Sequence, residues 1–111
     1  MVTFTTANPA GLLAALKKEI DDKKMKTWIY DEDGDFQYIA DQWEKLAFFR
    51  PSLGNGFLNF RLDTWQGKSV TLFQAAVYHG RFIEIVAAHF PTLFTSASSS
   101  DVKAFSVAKA A

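Results

Sequence analysis

Apolar positions recur along the chain with two periods, one helical and one of strand type. Leu12, Leu13, Leu16 and Ile20 return at helical spacing, with Lys17, Lys18, Asp21 and Asp22 on the other face. Asn8-Pro9 reads as an N-cap followed by Pro at the first helical position. Lys23, Lys24 and Lys26 suit the negative end of the helix dipole. The spacing predicts a helix over residues 9–24, preceded by an extended or frayed lead-in over 1–7. Thr27-Trp28-Ile29-Tyr30 has strand composition. Asp33-Gly34 is the strongest hairpin-turn signal in the chain, and Phe36-Gln37-Tyr38 resumes a strand. Residues 26–38 therefore read as a β-hairpin.

Asp41 with Glu44 three residues later has the form of a capping box. It predicts a short helix to about residue 49 that buries Trp43, Leu46 and Ala47 and stops at Arg50-Pro51. Residues 52–56, with Gly54-Asn55-Gly56, read as a loop. The clearest alternation follows: Leu58, Phe60 and Leu62 face one way, Asn59, Arg61 and Asp63 the other, as in a sheet with one wet side. Residues 66–68 turn the chain into a second strand over 69–74, with Val70 and Leu72 on one face. Residues 75–79 fit either the end of that strand or the start of a helix. From 80 to 90 the pattern is helical, with Phe82, Ile85, Val86, His89 and Phe90 on one face and Pro91 as terminator. Residues 95–100 read as a Ser-rich linker. Residues 101–111 read as a loose tail or a short docked helix with Val102, Phe105 and Ala108 on one side.

The order α-ββ-α-ββ-α argues an α+β fold. The expected architecture is a single domain over residues 1–94. It is a mostly antiparallel four-stranded sheet with helices on one face, followed by the linker and tail over 95–111. A chain of 111 residues suffices for one domain with its own core. Eleven Phe, three Trp and three Tyr are more rings than a small core hides easily, so some are expected at the surface, where they mark contacts.

Twelve basic residues balance twelve acidic ones, which argues against a nucleic-acid partner. The charge is segregated, however. Lys17, Lys18, Lys23, Lys24 and Lys26 form a basic group, and Asp31, Glu32, Asp33, Asp35, Asp41 and Glu44 follow with no base among them. The two groups read as self-complementary surfaces or as two solvated faces. The absence of cysteine excludes disulfides, thiolate metal sites and thiol catalysis. The amino-terminal stretch does not read as a signal peptide. No segment approaches the ~18 apolar residues of a membrane span. A soluble, cytoplasmic protein is expected.

Candidate chemistry falls in two places. Tyr78, His79, Arg81 and Glu84 are the best polar constellation. At a strand-to-helix transition, His79 could serve as acid or base and Arg81 could clamp an anion. Against convergence, His79 and Glu84 lie about 140° apart if both are helical, and Arg81 with Glu84 also reads as a surface pair. His89 belongs to the apolar stripe as a satisfied core or rim histidine. The ten-residue separation of the two histidines does not fit a helical zinc pair.

The second place is the acidic turn. Asp31, Asp33 and Asp35 start like a calcium loop, but Phe36 stands where Gly belongs and Gln42 where a bidentate Glu belongs. The sequence therefore implies no metal and no cofactor. It has no phosphate-cradling Gly-rich loop and no nucleophile elbow. The favoured expectation is a non-enzymatic domain that binds another protein or itself through Asp31, Glu32, Asp33 and Asp35, with Trp28 and Trp43 nearby. The alternative is an anion-binding or catalytic pocket lined by Tyr78, His79, Arg81 and Glu84. A third is a tail-mediated oligomer built on Val102 and Phe105.

Overall fold

The alternating segment becomes β5 (Phe57–Thr64), and the sheet is built outward from it. In a computed structural model, which describes residues 1–102 and 105–106, β5 buries Leu58, Phe60 and Leu62 in the core. Asn59, Arg61 and Asp63 lie on the opposite face, as the alternation predicts. β4 (Ala47–Gly54) pairs with all of β5, from Ala47↔Thr64 to Gly54↔Phe57. Asn55-Gly56 makes the turn, and Gly56 sits at φ +86, where a side chain is strained.

This corrects both the helix expected to residue 49 and the loop expected at 52–56. Only a single 3-10 turn, Asp41–Trp43, forms, and Lys45 at φ 61 breaks it. Phe48 and Phe49 then alternate across the pleat and are both fully buried, one on each side of the sheet. A helix would have placed them side by side. Pro51 is tolerated inside β4 because the next strand reaches only Phe48 and Phe49, and among the described residues no strand pairs with the other side of Pro51.

That next strand is β3 (Phe36–Tyr38), joined to β2 (Trp28–Tyr30) by the expected hairpin. On the other side of β5 lie β1 (Val2–Thr5) and then β6 (Ser96–Ser99), both antiparallel to their neighbours. The strand order is β2-β3-β4-β5-β1-β6. The expected count of four is too low because the lead-in, the segment Ala47–Gly54 and the Ser-rich linker are all strands, against the one expected strand, over 69–74, that does not form. β1 buries Val2 and Phe4, and β6 turns Ala97 against the core. A two-residue strand, β7 (Phe105–Ser106), runs parallel beside Asp63 and Thr64. The helix or tail expected over 101–111 otherwise falls, with Ala108, outside the described residues.

α1 (Pro9–Asp21) starts as expected: the Asn8 side chain accepts the Gly11 N–H at 3.0 Å. α2 (Leu72–His89) replaces the strand expected at 69–74 and absorbs the ambiguous residues 75–79. The reason is local. Thr71 and Gln74 form a reciprocal capping box: Thr71 Oγ1 accepts Gln74 N–H at 3.1 Å, and Gln74 Oε1 accepts Thr71 N–H at 2.9 Å.

Both helices contribute to one core with the sheet. Leu12 and Leu16 enter from α1, and Ala75, Tyr78, Phe82 and Val86 from α2. Phe82 is the hub, with its ring centroid 4.5 Å from Phe60, 4.9 Å from Trp28 and 5.0 Å from Phe49. Among the described residues, no helix is long and apolar enough to cross a membrane.

Candidate functional site

The start of α2 at Leu72 decides where the histidine window points. Tyr78 and His79 are already in the middle of the helix and are buried, whereas Arg81 and Glu84 are exposed. Tyr78 donates its phenolic hydrogen to the Trp43 carbonyl, and burial pushes its pKa up to about 12. His79 Nδ1 lies 2.7 Å from the Ala75 carbonyl one turn earlier, so that nitrogen carries the proton. Its Nε2 then accepts from the Met1 amino group at 2.9 Å. The same amino group donates to the carbonyls of Ser100 and Asp101.

Burial lowers the His79 pKa, the Ala75 hydrogen bond opposes the shift, and the nearby amino group adds to it. The ring is therefore a neutral core group with both nitrogens engaged, packed edge-on against Phe49 at 5.3 Å. Arg81 instead pairs with Glu84 at 3.3 Å along the outer face of the helix. The two shallow depressions that Arg81 and Glu84 line include neither Tyr78 nor His79. The four residues share a helix, but one pair is buried and the other exposed, and the depressions at Arg81 and Glu84 do not reach the buried pair. His89 lies at the rim, where its Nδ1 meets Glu19 Oε2 of α1 at 2.8 Å.

The acidic turn is better ordered than its composition suggests. Asp31 Oδ1 accepts the backbone N–H groups of Asp33 and Asp35, both at 3.0 Å, and its Oδ2 accepts from Gln37 Nε2 at 3.1 Å. Gly34 holds φ +83. Asp35 is buried and meets Arg50 Nε and Nη2, both at 3.3 Å, across the β3–β4 pair. One oxygen from each of Asp31, Asp33 and Asp35 falls within 4.8 Å of the others. Two of these acids shape the turn and hold Arg50, so Glu32 and Asp33 are the exposed part of the tip.

The basic group lies close by: Lys17 Nζ sits 5.4 Å from the Tyr30 ring centre, and the Tyr30 hydroxyl donates to Asp21 at 2.7 Å. The ion pairs that Lys18 and Lys24 make are with Asp22 and Glu19 of the α1 segment itself, not with the acidic turn. Trp28 is 1% exposed and Trp43 is half-buried against Tyr78, so neither ring is displayed beside the tip.

Apart from Ile29 of β2, the large apolar groups that face solvent lie elsewhere. Leu72 and Phe73, in the first turn of α2, are 62% and 72% exposed. A strand reading of residues 69–74 places Leu72 inward and hides this patch. The signal that could have found it is the spacing Thr71-x-x-Gln74, which marks a helix start one residue before the exposed pair. Leu53 and Phe57 flank the β4–β5 turn and are also exposed. No known protein family, curated protein or solved structure matches the chain.

Proposed function

We propose that the protein is a non-enzymatic domain that binds another protein, and that the first turn of α2 belongs to the contact surface. The observation that carries this reading is the display of Leu72 and Phe73 side by side on a helix start held by a complete capping box. Covering one such side chain is worth about 1.5–3 kcal/mol. Because the turn is already ordered, little backbone entropy is lost on docking. An exposed aromatic on a rigid element has the character of an interface anchor. The acidic tip, with Glu32 and Asp33 outermost, supplies a second element that would speed encounter with a basic partner.

Two variants test the reading: Leu72→Ser with Phe73→Ser, and Glu32→Lys with Asp33→Lys. Affinity capture from lysate and sedimentation velocity would each be run against the wild type. The serine pair is expected to lose at least tenfold of the specifically captured protein, or of the self-association, with unchanged thermal stability. The lysine pair is expected to slow capture and reduce its salt sensitivity. Capture and sedimentation indistinguishable from wild type for both variants would sink the proposal.

A further inference from the structure

A separate surface runs along the outer edge of the sheet. β2 ends the strand order, and no other strand among the described residues pairs with its free side. The hairpin register fixes which backbone groups face outward. Asp31 N–H bonds to the Asp35 carbonyl and Ile39 N–H to the Thr27 carbonyl, so residues 27, 29 and 31 turn toward β3. Trp28 and Tyr30 therefore turn their backbone N–H and C=O groups away from it.

Beside this edge, between the end of α1 and β2, lies a groove of about 290 Å³ lined by Ile20, Lys23, Met25, Lys26, Trp28 and Ile29. Its lining is almost wholly apolar, with buried Met25 and Trp28 beneath and Ile29, 38% exposed, at the side. Its polar rim is basic. Lys23 and Lys26 are exposed and make no ion pair among the described residues, whereas their neighbours Lys18 and Lys24 are paired with Asp22 and Glu19. Lys23 is held at the groove by a tight turn after α1, at φ 60, with its N–H bonded to the Ile20 carbonyl.

We infer that this groove and strand edge form a docking site for an extended acidic peptide segment of another protein, added as a strand beside β2. Each part of the occupant answers a part of the site. Backbone groups would pair with Trp28 and Tyr30. One large apolar side chain would enter the groove, and flanking Asp or Glu side chains would meet Lys23 and Lys26. A neutral or basic segment would leave those two ammonium groups opposed or unmatched. The groove's lining includes neither Leu72 nor Phe73, so the inference stands or falls independently of the α2 patch proposed above.

The test uses the full chain and a fluorescein-labelled octapeptide that alternates Glu and Asp with Leu and Phe. Fluorescence polarisation would be read together with amide chemical shifts. The peptide is expected to shift the amides of residues 23–30 and to slow hydrogen exchange at Trp28 and Tyr30. Lys23→Glu with Lys26→Glu should weaken binding at least tenfold, as should backbone N-methylation of the peptide. Replacing the peptide's acids by Lys should abolish binding. Leu72→Ser with Phe73→Ser should leave it unchanged, so loss of lysate capture in that variant alone separates the two proposals. Shifts elsewhere, binding indifferent to the lysine reversals or to N-methylation, or decanoate occupying the groove in place of the peptide would each overturn the inference.

Discussion

His79 shows how a side chain with catalytic potential becomes a structural one. Its Nδ1–H is spent on the Ala75 carbonyl and its Nε2 on the Met1 amino group. Protonation would place a second positive charge against that amino group. The folded-state pKa is lowered, so the unfolded chain binds the proton more readily. The stability tied to this ring is fully present above its ordinary value of about 6.5, and it is lost as pH falls from there through the lowered folded value. We predict that unfolding free energy measured by urea titration declines below about pH 6.5. In His79→Leu, the part of that decline due to this site should disappear. An unchanged pH profile in His79→Leu would mean that the ring is not held neutral.

The sequence marked His79 as a group worth attention but could not show its direction. Its partners come from one turn of helix and from the far end of the chain, and only the position of the α2 start decides that it points inward. Arg81 and Glu84 needed no such information, because spacing alone makes them neighbours on a helix.

At the scale of elements, local signals succeeded where they were strong and failed where pairing partners were distant. Asn8-Pro9 and Asp33-Gly34 each specify their own structure through a cap or a turn, and α1 and the β2–β3 hairpin were legible. β1 and β6 were not. Four residues of Thr-rich or Ser-rich chain become strands only because a distant partner receives them, β5 for β1 and β1 for β6. Asp41 and Glu44 gave a helix-start signal that lost to the pairing of β4 with β5, whereas Thr71 and Gln74 gave the same signal and kept it.

Two predictions belong here. Thr71→Ala should cost about 1 kcal/mol by removing the cap. Leu72→Ser with Phe73→Ser should cost no more than about 0.5 kcal/mol per site, as expected of exposed positions. Equilibrium denaturation would show the contrast, and a large loss in the serine pair would mean that those side chains serve the fold. Gly56→Ala, placed at φ +86 in the β4–β5 turn, should destabilise by roughly 1–2 kcal/mol although the added methyl meets no neighbouring atom. Equal stability of wild type and Gly56→Ala would show that the turn readily adopts another conformation.

Across the whole molecule, the aromatic residues that composition placed partly at the surface mostly build one continuous core. Phe82 of α2 meets Phe4 of β1, Trp28 of β2, Phe36 of β3, Phe49 of β4 and Phe60 of β5, with ring centroids between 4.5 Å and 6.1 Å. A single side chain from a late element thus bridges five strands whose sequence positions run from residue 4 to residue 60. The helical stripe that contains Phe82 was legible, but its role as hub depends on strand order, which no local pattern encodes.

Truncation there should act on every layer at once. Phe82→Ala is expected to cost about 3–5 kcal/mol, because the five surrounding rings cannot all move into the vacated space. Against a total stability of about 5–15 kcal/mol for a domain, that loss brings the chain near unfolding. Phe82→Leu keeps most of the volume and should cost roughly 1–2 kcal/mol. The graded pair can be measured by urea denaturation, with the slope of each transition as a check on two-state behaviour. If the α2–sheet interface were loose, both variants would fall within about 0.5 kcal/mol of wild type. Phe82 would then be one core residue among many rather than the group that ties α2 to the sheet.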